Sequence, residues 1–228
     1  MEDLNKANSH IVKILSVEDV THNVKRFTVE KPLGYKFIPG QATDISINKP
    51  GLETTVGPFT FTSLNQSEYL EFTIKIYKEH DGLTSKLSLL NPMDELIVHD
   101  VFGTIRYKGP GVFIAGGAGI TPFLAILRQL KLENSLSGNK LLFANHNEDD
   151  VINKAELKYI LGNNYLDVLK APLNPENRSK TIDKALLKAY IGDQNTWYYI
   201  CGPDAFTAAM VDHLQNLEVL RTKIVIEE

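Results

Sequence analysis

A run from Ile114 to Phe123 joins an apolar strand, a glycine cluster and a helix start without a break, and reads IAGGAGITPF. Gly117 and Gly119 lack a Cβ, so the backbone can turn tightly there and approach a ligand closely. Thr121 can cap the following helix, and Pro122 suits its first turn. The N–H groups at such a helix start face an anion with the positive end of the helix dipole. The run therefore predicts a diphosphate-binding loop or, alternatively, an ordinary strand–turn–helix connection.

The second half of the chain continues this strand–helix rhythm. We predict strands at 112–115, 141–144, 166–169, 197–200 and 224–226. We predict helices at 121–132, 154–161, 182–190 and 205–217. Strands that alternate so regularly with helices form a parallel sheet that is covered by helices on both faces. This half is therefore predicted to be a doubly wound α/β domain.

The first half consists of short runs rich in β-branched and aromatic residues, which are separated by Gly, Pro and Asn turns. These runs predict strands at 11–17, 24–30, 43–47, 59–63, 69–77, 96–98 and 102–107, with one helix at 84–90. Short antiparallel strands at this spacing form a small barrel or sandwich. A turn-rich segment at 108–111 separates the halves, so we predict two domains, at 1–108 and 109–228.

Composition and charge exclude several classes of protein. The 228 residues carry a formal net charge of -4 with dispersed Lys and Arg, which gives no electrostatic footprint for nucleic acid. Cys201 is the only cysteine, which excludes an internal disulfide and a multi-cysteine iron–sulfur or zinc site. The six histidines form no HExxH pair, so no metal site is expected. The polar segment 1–9 and the lack of a run of ~20 apolar residues predict a cytoplasmic protein without a membrane span.

Polar and acidic residues follow the second predicted strand of the α/β half, where a doubly wound domain gathers its ligands. Asn145 and Asp150 lie in this run and can receive a ribose. A carboxylate there accepts hydrogen bonds from ribose hydroxyls and repels a 2′-phosphate, which favours NADH over NADPH. The alternative is that Asp149 and Asp150 are solvated carboxylates that cap a helix.

The turn Cys201-Gly202-Pro203-Asp204 follows a later strand and opens a helix. It provides a second backbone turn at the carboxyl end of the predicted sheet. Alternatively, Cys201 is a small buried residue and Asp204 is a helix cap.

Four motifs occur in a fixed order along the chain: PFTFTS at 58–63, HDGLTSKL at 80–87, GGAGITP at 116–122 and CGP at 201–203. In this order the chain resembles the ferredoxin-NADP reductase superfamily over nearly its whole length. Within that superfamily, the segments 143–151 and 155–157 look most similar to NADH-cytochrome reductases and flavohaemoglobin reductase domains, and flavodoxin reductases are also similar.

The resemblance implies that the first domain binds a flavin, usually FAD and less often FMN. Phe59 matches the aromatic residue of the family's flavin motif, and Thr60 matches its hydroxyl residue near flavin N5. Core packing is the alternative for Phe59 and Phe61, and one of the two is expected to do only that. The implied flavin-binding residues are Pro58, Phe59, Thr60, Thr62, Ile76, Tyr77, Gly82, Thr84 and Ser85.

The chain departs from this motif at Gly57, where the family has an arginine that pairs with the flavin phosphate. An arginine fork forms charge-assisted hydrogen bonds of roughly 1.5 to 3 kcal/mol each, so its loss predicts a weakly bound or exchangeable flavin. Lys49 or another cation can compensate for it. The backbone amides and hydroxyls at Gly82, Thr84 and Ser85 open a helix and can also hold the diphosphate.

The second domain is implied to bind a nicotinamide nucleotide. The residues implied for the diphosphate, the adenosine and the nicotinamide end are Gly117, Gly119, Thr121, Pro122, Asn145, Asp150, Cys201, Gly202, Pro203 and Asp204. The resemblance further implies that hydride passes from C4 of NAD(P)H to flavin N5. Thr60 and Cys201 are then the expected catalytic residues, with Cys201 as a small contact rather than a nucleophile. The electrons then go to a separate ferredoxin, flavodoxin, cytochrome or free flavin. The alternative, which Gly57 motivates, is a flavin-poor electron-transfer or nucleotide-binding subunit without turnover of its own.

Overall fold

The computed structural model describes residues 9–103, 105–174 and 180–227, so the predictions about the N-terminal segment lie almost entirely outside the described residues. The chain divides into two compact units, Met1–Gly103 and Thr104–Glu228. The first contains an antiparallel sheet and the second a parallel sheet with helices, which confirms the predicted two-domain fold class. The assignment of one unit to a flavin and the other to a nicotinamide nucleotide stays a prediction.

Six strands form the sheet of the first unit. They are β1 (His10–Thr21), β2 (Val24–Glu30), β3 (Ala42–Ile47), β4 (Gly57–Thr60), β5 (Tyr69–Lys75) and β6 (Glu95–Phe102). Their order is β4-β3-β6-β1-β2-β5, and neighbouring strands are antiparallel. An isolated bridge between Phe61 and Phe72 joins the end of β4 to β5, so the sheet closes into the predicted barrel.

Strand β6 differs from the sequence prediction of two separate strands. One continuous strand ends at Phe102, and the predicted strand at 102–107 is wrong. His99 and Asp100 interrupt the apolar pattern in the sequence, so the pattern does not indicate one continuous strand. In the structure, β1 and β3 pair with β6 on its two sides. Gly103 ends the strand with a φ of +110°, a conformation that other residues rarely adopt.

Aromatic rings fill the interior of the first unit. Phe61 stacks on Phe37 with ring centroids 4.1 Å apart, and Phe72 lies 5.2 Å from Phe61. Helix α1 (Leu83–Leu87) adds the buried Leu87 to the same cluster. Because each large ring removes much apolar area from water, this cluster is a main source of stability for the unit.

The second unit is a five-stranded parallel sheet with helices. Its strands are β7 (Gly111–Gly116), β8 (Lys140–Asn145), β9 (Tyr165–Leu169), β10 (Trp197–Cys201) and β11 (Ile224–Ile226). Its helices are α2 (Thr121–Leu132), α3 (Lys154–Leu161), α4 (Lys184–Lys188) and α5 (Asp204–Gln215). None of the helices in the described part of the chain is long and apolar enough to cross a membrane.

Strand β7 lies at the centre of the parallel sheet, in the order β11-β10-β7-β8-β9. The chain goes from β7 to β8 on one side and later returns to β10 on the other, so the strand order reverses at β7. Gly116 pairs with Ala144, and Ala115 pairs with Cys201. The glycine loop, Asn145 and the Cys201 turn therefore leave the sheet at one edge, where open α/β sheets bind ligands.

Candidate functional site

The glycine loop after β7 begins as a 3₁₀ turn, Gly117–Ile120, that runs directly into α2. Gly117 has a φ of +52°, and a Cβ built on it meets no atom within 4 Å. A Cβ on Gly119 would lie 2.2 Å from the carbonyl oxygen of Cys201 and 2.5 Å from the nitrogen of Gly202. The absence of a side chain at Gly119 therefore allows the backbones of two predicted nucleotide-binding turns to touch.

The start of α2 corrects one local prediction. Thr121 is the first residue of the helix, and Ile120 occupies the N-cap, so the prediction that Thr121 caps the helix is wrong. The reason is that the 3₁₀ turn already gives Ile120 helical dihedrals, with φ -69° and ψ -22°, which shifts the helix start by one residue. Pro122 lies in the first turn, as predicted, where its missing N–H leaves no hydrogen bond unmade.

The Cys201 turn packs against the glycine loop through a shared aromatic ring. A Cβ on Gly202 would lie 2.7 Å from Cδ1 of Phe206, and one on Gly116 would lie 3.0 Å from the same atom. The α carbon of Gly116 lies 3.3 Å from that Gly202 position. Phe206 was not a sequence candidate, because its ring reaches these glycines only through the turn at the start of α5.

Cys201 has the environment of a buried, neutral thiol. Its exposed fraction is 7%, and its Sγ donates a weak hydrogen bond to Oε2 of Glu227 at 3.8 Å. Burial, with a smaller contribution from the Glu227 charge, raises the pKa of the Cys201 thiol to about 12. The thiol is therefore protonated at neutral pH, which agrees with the expectation that Cys201 is not a nucleophile. Asp204 is exposed as the first residue of α5, and Pro203 takes the N-cap position.

A cavity of about 550 Å³ lies beside this turn, between α5 and β11. Its lining includes three residues of the predicted turn, Cys201, Gly202 and Asp204, and two further carboxylates, Asp212 and Glu227.

Asn145 is the predicted site residue with the most unusual environment. The residue is 8% exposed, yet neither Oδ1 nor Nδ2 has a hydrogen-bond partner among the residues that the structure describes. Its backbone oxygen accepts from the nitrogen of Lys170 at 3.1 Å, which fixes the strand end. Buried amides are almost always paired, and an unpaired group costs about 1 to 3 kcal/mol. The described residues therefore give the Asn145 amide, at the carboxyl edge of the sheet, no hydrogen bond that explains its burial.

The acidic run after β8 folds into a short 3₁₀ turn, Glu148–Asp150. Asn147 accepts from the nitrogen of Asp149 at 3.0 Å, and Oδ2 of Asp150 accepts from the nitrogen of Asn147 at 3.2 Å. This is a capping box, so the capping alternative describes Asp150 in this structure. Glu148, which the sequence did not single out, accepts from the nitrogen of Leu173 at 2.7 Å.

In the first unit, Phe59 and Thr60 are half-buried at the end of β4, and Pro58 is exposed. Phe61 is fully buried in the aromatic cluster, so it is the phenylalanine that serves core packing. Phe59 and Thr60 therefore keep part of their surface for a ligand.

Thr62 lies in a buried polar cluster. Its hydroxyl donates to Oε1 of Glu71 at 2.6 Å and lies 3.2 Å from the hydroxyl of Thr73. The backbone nitrogen of Thr62 also donates to the oxygen of Glu71 at 2.8 Å. These bonds attach the segment after β4 to β5, so the structure gives Thr62 a structural position next to Thr60. Sequence reasoning missed Glu71, since a carboxylate inside a strand pattern reads as a solvent-facing residue.

The second predicted flavin segment comes together around α1. The nitrogen of Tyr77 donates to Oγ1 of Thr84 at 3.3 Å, which joins the end of β5 to the start of the helix. Ile76 is buried in the barrel, whereas Gly82 and Ser85 are half-exposed. The predicted residues on both sides of this connection are therefore neighbours in space.

Gly57 is covered by apolar side chains. A Cβ built on it would lie 3.0 Å from Cδ2 of Leu83 and 3.5 Å from Cε2 of Phe59. Lys49, the proposed substitute for the missing arginine, forms an ion pair with Asp94 at 2.8 Å. The hydrogen bond from Lys49 is the main cause that holds the pKa of Asp94 below its usual range. Lys49 is thus engaged elsewhere.

Known proteins share this two-unit fold and part of the sequence. Residues 113–212 match the family model of the oxidoreductase NAD-binding domain. Cytochrome b5 reductase 4 of Mus musculus is 31% identical over 90% of this chain and 44% of its own length. The chain spans less than half the length of the first curated relatives that it matches.

Two solved structures illustrate the likeness of the fold. The CS-b5R domains of human Ncb5or, in an NAD+ form, superpose with a TM-score of 0.83 at 25% identity, over 99% of this chain and 71% of that one. A ferredoxin NADP+ reductase from Neisseria gonorrhoeae with bound FAD and NADP gives a TM-score of 0.84 at 19% identity, over 97% and 98% of the two chains. The chain belongs to the ferredoxin-NADP reductase superfamily.

Both implied cofactors can be compared with the residues present. The parallel unit suits a dinucleotide, because touching glycine turns and the unpaired Asn145 amide lie at the edge where its strand order reverses. The antiparallel unit suits the ring end of a flavin at Phe59 and Thr60. Its phosphate end departs from the family motif, because apolar atoms cover Gly57.

Proposed function

We propose that this chain is an NAD(P)H-dependent flavin oxidoreductase, with NADH as the favoured donor, that delivers electrons to a separate acceptor. The observation that carries the proposal is the buried, unpaired amide of Asn145 beside the glycine loop. A structural role leaves this amide unexplained, whereas the hydrogen-bonding groups of an adenosine would satisfy it. Superfamily membership supports the same assignment.

In the nucleotide unit, Gly117 and Gly119 allow a diphosphate to approach the backbone, and Thr121 adds a hydroxyl at the start of α2. Cys201 and Gly202 contact the glycine loop, so that the nicotinamide end of the ligand is held by a turn fixed relative to the diphosphate. The neutral thiol of Cys201 provides a small contact surface and takes no part in covalent chemistry.

In the antiparallel unit, Phe59 packs against the flavin ring and Thr60 places a hydroxyl near N5. A bound flavin would supply the two-electron chemistry of hydride transfer from the nicotinamide. The protein contributes orientation of the rings and exclusion of water. The buried bonds of Thr62 to Glu71 hold the segment that follows Thr60 in place.

The preference for NADH is proposed to follow from the carboxylate of Asp150, which would repel a 2′-phosphate. Asp150→Asn tests this sharply, because the amide oxygen can still accept from Asn147 while the charge is removed. We expect the ratio of kcat/KM for NADH over NADPH to fall in this variant, with Asp149→Asn as the control at the exposed neighbour. A strong preference of the unaltered protein for NADPH would contradict the assignment.

The acceptor is proposed to be a separate protein, such as a ferredoxin, flavodoxin or cytochrome, or a small molecule. An absorption spectrum taken with added FAD, followed by anaerobic addition of NADH, tests the proposed activity. We expect the visible absorption band of the flavin to bleach, since the fully reduced ring absorbs little there. Protein that stays inert with both FAD and NADH would refute the proposal and favour the second candidate, a flavin-poor nucleotide-binding subunit. The observation behind that candidate is the covered Gly57.

A further inference from the structure

We propose that the antiparallel unit holds a flavin by its ring system and not by its phosphate, so that riboflavin, FMN and FAD bind with similar affinity and exchange during turnover. The inference rests on the proposed function and deepens it, because it names free flavin as the substrate that receives the hydride.

The main observation is the apolar cover on Gly57. The space into which a side chain at this position would first extend is bordered by Cδ2 of Leu83 at 3.0 Å and by ring atoms of Phe59 at 3.5 and 3.7 Å. Leu83 and Phe59 are both packed against the barrel core, so the cover is part of a hydrophobic cluster. A phosphate gains little from such a surface, because a charged group loses hydration beside apolar atoms.

Two of the lysines near the predicted flavin segments in sequence are already paired with carboxylates. Lys49 lies 2.8 Å from Asp94, and Lys86 on α1 lies 3.6 Å from Asp81. A phosphate must compete with these carboxylates for either ammonium group. Such a lysine also binds as a single point charge, whereas a guanidinium presents a bidentate fork.

The backbone donors at the start of α1 are a weaker substitute. The helix has five residues, Leu83–Leu87. Its N-cap is Gly82, which has no side chain to cap the helix. The hydroxyl of Thr84 already accepts from the nitrogen of Tyr77. A helix of little more than one turn carries few aligned peptide dipoles, so it discriminates weakly between flavins with and without phosphate.

The ring end, by contrast, is firmly built. Phe59 and Thr60 retain exposed surface, while Phe61 is anchored in the aromatic cluster and Thr62 in its hydrogen bonds to Glu71. A ligand that stacks on Phe59 gains the same ring contacts whether or not a phosphate is attached to its ribityl chain. The part common to all three flavins is therefore the part that the unit recognises.

Exchange makes the flavin a second substrate. The C4–H bond of NAD(P)H breaks and gives up two electrons with one proton, and an N5–H bond forms on the flavin. One further proton from solvent balances the two-electron reduction, so that NAD(P)+ and reduced flavin leave the protein. Diffusion of the reduced flavin then carries the electrons to their destination.

Fluorescence titration of the flavin-free full-length protein with riboflavin, FMN and FAD measures this selectivity directly. We expect the three dissociation constants to agree within about five-fold, which is a difference of only ~1 kcal/mol. They should change little between low and high salt, because no phosphate ion pair is screened. Gel filtration should remove the flavin from the protein.

Variants at the cover provide the matched comparison. Gly57→Arg combined with Leu83→Ala restores the fork and clears its path, and should tighten FMN and FAD at least about ten-fold while leaving riboflavin unchanged. Gly57→Gln with Leu83→Ala keeps side-chain length without charge, and Leu83→Ala alone reports the loss of the cover. Neither should separate FMN from riboflavin by more than about five-fold.

The outcomes are distinct. FAD that binds the unaltered protein more than about thirty-fold tighter than riboflavin, or that survives gel filtration at full occupancy, would overturn the inference while leaving the proposed function intact. Equal, salt-insensitive affinities support it. If none of the three flavins binds, the proposed function itself fails.

Discussion

The contact between Gly119 and the Cys201 turn yields the sharpest structural prediction. In Gly119→Ala the new methyl group would lie 2.2 Å from the carbonyl oxygen and 2.4 Å from the carbonyl carbon of Cys201. Backbone atoms cannot rotate away as a side-chain end can, so the two turns must separate. Forcing an extra methyl group into a packed interior typically costs 1 to 3 kcal/mol, and we expect a loss of about 2 kcal/mol here.

Gly117→Ala is the matched control two residues away. Its methyl group would enter open space, and the positive φ of 52° costs about 1 kcal/mol because L residues avoid this region. The two variants should therefore impair the protein for different reasons. Gly119→Ala loses more stability, whereas Gly117→Ala loses less stability but obstructs the surface on which the diphosphate is proposed to lie.

Urea unfolding measures the free energy of each variant, and calorimetric titration with NADH measures its affinity. Gly119→Ala should unfold at a lower urea concentration than Gly117→Ala, and both should bind NADH at least about ten-fold more weakly. Unchanged stability and unchanged NADH affinity in Gly119→Ala would refute the reasoning, because the turns would then not touch as described.

Three further predictions concern buried polar groups. In the absence of nucleotide, Asn145→Leu should leave the unfolding free energy unchanged or raise it, because the variant removes an unpaired amide. Calorimetric titration should show that the same variant binds NADH about ten-fold or more weakly. Thr62→Val should lower the unfolding free energy by about 1 to 3 kcal/mol through its lost bond to Glu71, whereas Thr60→Val should leave stability nearly unchanged and alter the flavin spectrum. Burial raises the pKa of the Cys201 thiol from its ordinary value of 9.0 to about 12. The resulting stabilisation of the folded state is fully present below pH 9.0 and should be lost as the pH rises towards about 12. Urea unfolding at several alkaline pH values should show a smaller decline in Cys201→Ala.

The fold was largely predictable because the chain repeats simple signals. Short apolar runs at regular spacing identify all five parallel strands, and the order of helices between them fixes the doubly wound arrangement. The full length of strand β6 was not predicted, because His99 and Asp100 interrupt its apolar pattern. Its hydrogen bonds are formed with two partner strands. Partners of that kind lie far away in sequence.

The parts of the candidate site that lie in one local motif were predictable. The parts that depend on packing between residues distant in sequence were not. The glycine loop is recognisable from sequence, because several glycines between a strand and a helix indicate a backbone that turns tightly there. The cover that Leu83 places on Gly57 joins residues far apart in the chain, and no spacing rule connects them. Thr121 was assigned one position wrongly, since a 3₁₀ turn before a helix leaves no composition signal.

Phe206 gives the nucleotide unit a constraint that protein engineers must respect. Its ring fills the places where side chains of Gly116 and Gly202 would begin, so it acts as a spacer of fixed thickness between two turns. Exchanging any one of these three residues changes the fit of the other two. The three positions are therefore structurally coupled. A library of variants in the predicted nucleotide site should either mutate all three together or leave all three unchanged.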